Sequence, residues 1–148
     1  MRKILLADDS VTIQKVVRLT LEEGEFELLT VDNGEDALRL AREARPELVL
    51  ADAVMPGLDG YQLCAALKSD PALGPTRVVL LGGSFEAYDP ERGRAVGADG
   101  FISKPFESKT LLAAVHQALG ITRPLPPEPP PAITPQGWFK SLFGGKKK

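Results

Sequence analysis

Cysteine and histidine each occur once in this chain of 148 residues, as Cys64 and His116. A lone cysteine excludes an internal disulfide and a multi-cysteine metal site. Long apolar runs are also missing. No uninterrupted stretch approaches the roughly 18 to 20 residues that span a bilayer, so an integral membrane protein is not expected. The opening MRKILLADDS lacks the apolar core of a secretory signal, and the expected location is cytoplasmic. Positive charge is scarce through most of the chain: up to Arg123 there are fourteen Lys and Arg against nineteen Asp and Glu. Such a body repels nucleic acid. The remainder is too short and too rich in proline and glycine for a helix-turn-helix module, so direct DNA binding is not expected.

What is present is ordinary for one globular domain with an appendage: 43% of residues are hydrophobic, enough for one sizeable core. Apolar runs at Ile4 to Ala7, Glu27 to Val31, Leu48 to Ala51, Arg77 to Leu81 and Gly100 to Ser103 read as strands. Helical spacing alternates with them. Ile13, Val16, Val17 and Leu21 share a face behind a Ser10 cap, and Ala37, Leu40, Ala41 and Ala44 share one behind Asn33 until Pro46 stops the helix. Met55, Pro56 and Gly57 force a loop before a helix carrying Leu63, Cys64 and Leu67. A weaker helix, Pro90 to Val96, contains Gly93 at a cost of about 1 kcal/mol relative to alanine and is expected to be mobile. Leu111, Leu112, Val115, Ala118 and Leu119 line the inward face of the last helix. Five βα units predict a three-layer α/β fold around a parallel sheet.

The strands end in chemistry. Asp8 and Asp9 follow the first, Asp52 the third, and Lys104 with Pro105 the fifth. In an open parallel sheet these ends share one edge, where ligands bind. An acidic residue after a strand often only caps a helix, which suffices for Asp9 taken alone; beside Asp8, Asp52 and Lys104 it does not. Clustered carboxylates need a cation between them, and oxygen donors suit a hard ion such as Mg2+. Cys64 reads as a small core residue and His116 as an exposed one. Phe85 and Tyr88 suit packing or docking equally.

LLADDS at Leu5 to Ser10, ADAVMPGLDG at Ala51 to Gly60 and GADGFISKPF at Gly97 to Phe106 resemble the receiver domains of two-component response regulators. The resemblance covers residues 1–122. It implies a flavodoxin-like strand order 2-1-3-4-5. It also implies that Asp52 is the phosphoacceptor, taking a phosphoryl group from a sensor histidine kinase or phosphotransfer protein. Asp8, Asp9, Asp52 and the backbone carbonyl of Val54 would then hold Mg2+, Lys104 would pair with Asp52 and later with a phosphoryl oxygen, and Pro105 would follow a cis peptide bond. Asp59 and Gly60 match the family pattern as a turn and helix cap.

One departure stands out. Where the family ends its fourth strand in a threonine or serine that senses the phosphoryl group, this chain has Gly82 followed by Gly83. Ser84 lies two residues on, and the flexible Gly82–Gly83 pair would let its hydroxyl or backbone amide swing toward the phosphoryl group as a substitute binding group. Losing one hydrogen bond to a charged group costs on the order of 1.5 to 3 kcal/mol, which weakens coupling without forbidding phosphorylation. Phe101 occupies the position of the family's aromatic switch.

Residues 123–136 form a proline-rich linker, stiff at about 3.1 Å per residue and so able to reach roughly 35 Å. Residues 137–148, GWFKSLFGGKKK, place Trp138, Phe139, Leu142 and Phe143 on one helical face ahead of three lysines. A partner groove, an anionic membrane surface and a solvated tail all stay open as readings of this segment. The sequence is thus read as a response regulator signalling through an unknown downstream protein, catalysing nothing beyond its own phosphorylation and dephosphorylation, with pairing to a second copy left open. The rival readings are a pseudo-receiver scaffold uncoupled at Gly82 and, more weakly, a magnesium-dependent phosphatase without a cap segment.

Overall fold

The apolar runs become strands and the 3.6-residue stripes become helices. The computed structural model describes residues 2–22, 24–82 and 89–120. Ten elements alternate: β1 (Arg2–Ala7), α1 (Val11–Leu21), β2 (Phe26–Val31), α2 (Gly34–Ala44), β3 (Leu48–Asp52), α3 (Gly60–Ser69), β4 (Arg77–Gly82), α4 (Pro90–Val96), β5 (Gly100–Ser103) and α5 (Ser108–Leu119). Side chains of Ser10, Asn33 and Asp59 accept backbone N–H groups in the first turns of α1, α2 and α3. Each meets a donor that the helix itself leaves unpaired. Asp59 does so reciprocally, in a capping box with Gln62.

All five strands are parallel, in the order β2-β1-β3-β4-β5. β3 and β4 run one residue further than their apolar runs, because Asp52 pairs with Leu81 and Gly82 with Ser103. Both faces of the sheet are covered, which is why the strands are continuously apolar instead of alternating. The pleat then sorts side chains by parity. Leu5, Ala7, Val49, Ala51, Val78 and Leu80 join the layer with α2 and α3, whereas Ile4, Leu6, Leu48, Leu50, Val79, Leu81 and Ile102 pack toward α1 and α5.

Cys64 is fully buried, as a core residue should be. His116 overturns its expectation: it is only 7% exposed and lies with its ring centroid 6.4 Å from that of Phe26. The inward stripe of α5 is wider than one row, since Leu112, His116 and Leu119 recur at i, i+4 and i+7 and α5 packs on α1 as well as on the sheet. Among the described residues no helix is long and apolar enough to cross a membrane.

Candidate metal centre

The strand order reverses between β1 and β3, and the crevice this opens lies at the C-terminal ends of those two strands. Register brings the acidic residues to it. Ala7 pairs with Ala51, so Asp8, just past β1, and Asp52, the last residue of β3, stand side by side. Oxygen atoms of Asp8, Asp9 and Asp52 all lie within 4.8 Å of one another. Lys104 arrives from the far side of β4, its N–H donating to the carbonyl of Gly82 at 2.6 Å. Its Nζ sits 2.7 Å from Asp8 Oδ2 and 3.0 Å from Asp52 Oδ2. The Lys104–Pro105 peptide bond is cis.

The two members of the aspartate pair have opposite surroundings. Asp8 is fully buried, its Oδ1 accepting the Ser10 N–H at 2.8 Å, whereas Asp9 is exposed. Burial raises the Asp8 carboxyl above its ordinary range despite the Lys104 ammonium and the Ser10 amide. Burial would lower Lys104, but its bonds to Asp8 and Asp52 outweigh it and the ammonium is held above its usual pKa. Asp52 is 7% exposed, and its Oδ1 accepts the Val54 N–H at 3.1 Å.

Asp8 Oδ2 is buried and meets the Lys104 ammonium as an ion pair at 2.7 Å, with no further hydrogen bond among the described residues. A buried carboxylate oxygen with spare lone pairs, two further carboxylates beside it and no sulfur or imidazole in the group form a donor set that fits a hard divalent cation.

Gly82 closes β4 as a buried residue, Val54 turns its side chain to solvent, and Phe101 packs against the α2–α3 layer of the core. Gly83, Ser84, Phe85, Tyr88 and the tail residues Trp138, Phe139, Leu142 and Phe143 lie outside the described residues. Two supporting residues escaped sequence reasoning. Gln14 on α1 donates from Nε2 to the Asp8 carbonyl at 2.7 Å, and Glu35 on α2 accepts the Leu58 N–H at 3.2 Å, bracing the loop that carries Val54. Both look like solvated helix residues in sequence, so no local signal marks them. A cavity of about 780 Å3 lies at the opposite edge of the sheet, lined by Glu47, Arg77, Phe101 and Gly120 among others, away from Asp8, Asp9 and Asp52.

Comparison with known proteins bears on the fold and the family. The response regulator receiver domain model matches residues 4–116. Protein PilG of Pseudomonas aeruginosa is 35% identical over 113 residues, covering 76% of this chain and 84% of PilG. PhoP of Bacillus subtilis, the alkaline phosphatase synthesis transcriptional regulatory protein, is 31% identical over 80% of this chain, which spans only 48% of PhoP. Among solved structures, the chemotaxis protein CheY4 of Vibrio cholerae superposes with a TM-score of 0.74 at 33% identity, covering 80% of this chain and 99% of CheY4. The family model over residues 4–116, together with a sheet in the order 2-1-3-4-5, leads to one conclusion: this chain belongs to the response regulator receiver domain family.

Proposed function

We propose that the chain is a phosphoacceptor of a two-component relay, receiving a phosphoryl group on Asp52 from a phosphohistidine on a histidine kinase or phosphotransfer protein. The observation that carries this reading is the lysine ammonium set between Asp8 and Asp52, which with Asp9 make three carboxylates whose oxygens lie within 4.8 Å of one another. In the step, an Asp52 carboxylate oxygen attacks phosphorus and the P–N bond breaks. The imidazole nitrogen leaves with that electron pair and takes up a proton, and an acyl phosphate remains. Lys104 is placed to exchange its Asp52 contact for a phosphoryl oxygen. Asp8, Asp9, Asp52 and the Val54 carbonyl are the groups that would hold Mg2+, which supplies positive charge where anion meets anion. No other substrate is turned over in this reading, and output passes through protein contacts, with residues 137–148 as the docking segment.

Incubation with acetyl phosphate and Mg2+, followed by intact mass, tests it. A phosphoryl adduct on the wild type that is lost in Asp52→Asn is expected; a wild type that never gains the adduct rejects the reading. One observation favours a second reading: β4 ends in Gly82, which has no side chain to sense a phosphoryl group. In a pseudo-receiver scaffold the adduct would form while the amide resonances of residues 82 to 101 stay in place.

A further inference from the structure

α4 has seven residues with Gly93 inside it, and a helix so short does not persist alone in water. Its N-terminus is held from outside. Asp89 caps it by accepting the N–H groups of Glu91 and Arg92 at 3.0 and 3.2 Å, and the Asp89 N–H in turn donates to Tyr61 Oη at 2.6 Å. The Arg92 guanidinium carbon stands 4.4 Å from the centroid of the Tyr61 ring, and Nη2 lies 3.3 Å from Asp59 Oδ2. At the other end Cys64 Sγ donates to the Val96 carbonyl at 3.4 Å. Tyr61, Asp59 and Cys64 all belong to α3 or to its cap.

That first turn of α3 has no slack against the candidate acceptor. The Gly60 N–H donates to the Ala53 carbonyl at 3.2 Å, and a Cβ on Gly60 would collide with the carbonyl oxygen of Asp52. Backbone movement at Asp52 and Ala53 must therefore displace Asp59 to Tyr61, and with them the contacts through which those residues hold Asp89 and Arg92. A helix whose stability is borrowed from such contacts responds when the residues that make them move.

The geometry points to Arg92 and Tyr61 as positioning residues through which the state of Asp52 reaches α4, by way of the first turn of α3. The inference rests on the phosphoacceptor reading. It gives the chain a route from the strand edge to α4 that needs no side chain at Gly82. The stacked guanidinium supplies the geometry, since its flat face lies over the ring while one edge pairs with Asp59.

The test uses the full chain, labelled for amide NMR, with acetyl phosphate and Mg2+ as the probe and intact mass read on the same samples. Wild type is expected to gain the adduct and to shift the amides of residues 90 to 96. Arg92→Ala and Tyr61→Phe are expected to gain the adduct equally but to lose most of that shift, and Arg92→Lys, which keeps the charge and not the flat stack, to retain part of it. Should Arg92→Ala unfold α4 before the reagent is added, seen as rapid amide exchange, Tyr61→Phe decides, because it keeps the ring under Arg92 and removes the hydroxyl that accepts from Asp89. Full adduct with a wild-type α4 response in both variants overturns the inference while leaving the phosphoacceptor reading intact. Absence of the adduct in the wild type removes both.

Discussion

Lys104 Nζ lies closer to Asp8 Oδ2, at 2.7 Å, than to Asp52 Oδ2, at 3.0 Å. The lysine thus serves first as counter-ion to the most buried carboxylate of the site and only then as partner of the candidate acceptor. Breaking a buried pair by removing one member leaves an uncompensated charge, a loss of about 3 to 5 kcal/mol for full burial. Lys104 is partly exposed, its side chain at 15%, so about 2 kcal/mol is the appropriate scale. Lys104→Met should melt some 8 °C below the wild type in the absence of divalent ions, by calorimetry, at about 4 °C per kcal/mol. Added Mg2+ should raise the melting point of the variant more than that of the wild type, since the ion then takes over a charge the lysine supplied. Equal responses would show that Lys104 and the ion do not share a site.

Gly60 faces the carbonyl of Asp52 so closely that no side chain fits. Gly60→Ala must push the first turn of α3 away from β3, and overpacking of this kind typically costs about 1 to 3 kcal/mol. Chemical denaturation should show that loss. Gly120 is the control: among the described residues no atom lies within 4 Å of a Cβ built there, and its φ of 70° disfavours alanine through the backbone alone. A smaller loss is expected for Gly120→Ala, about 1 kcal/mol.

Asp99 ties the start of β4 to α3. It accepts from Lys68 Nζ at 2.9 Å and from the Val78 N–H at 2.8 Å, with Arg77 at 3.5 Å. Burial alone would raise its carboxyl, but these three partners outweigh burial and hold it below the ordinary 3.8. A carboxylate lowered on folding stabilises the fold above its unfolded pKa and loses that contribution as pH falls through its folded one. Asp99→Asn should accordingly be less stable than wild type at neutral pH, by about 1 kcal/mol given the partial exposure of the pair. The gap should stay constant down to about pH 4 and close below it. Urea midpoints across that range measure it; a gap that widens in acid contradicts the assignment.

Cys64 is fully buried and its thiol is pushed up to about 11, chiefly by burial. Thiolate is the reacting form. Ellman's reagent at neutral pH should label the folded chain only as fast as the core opens, and at once in denaturant. Rapid labelling of the native protein would mean that α3 and α4 part readily.

The strand edges and their acidic ends were legible because burial on both faces of a parallel sheet writes an unbroken apolar run, and an aspartate just past such a run stands at the ligand edge whatever lies between the runs. Helix caps were legible for a similar reason: Ser10, Asn33 and Asp59 act within three residues of themselves. Gln14, Glu35 and the Arg92–Tyr61 stack were not. Each is a polar or aromatic side chain at an ordinary helical position whose partner belongs to another segment, and periodicity carries no information about that partner.

Local chain chemistry, then, determined the alternation of elements, the capped helix starts and the set of residues gathered at one edge. Tertiary packing decided which of two adjacent aspartates is buried, that Lys104 meets Asp8 as well as Asp52, and that His116 turns inward against Phe26. The division has a physical cause. Hydrogen-bonded backbone period acts over a few residues, whereas desolvation and charge pairing depend on which surfaces meet, and the Lys104–Asp52 contact joins residues 52 positions apart.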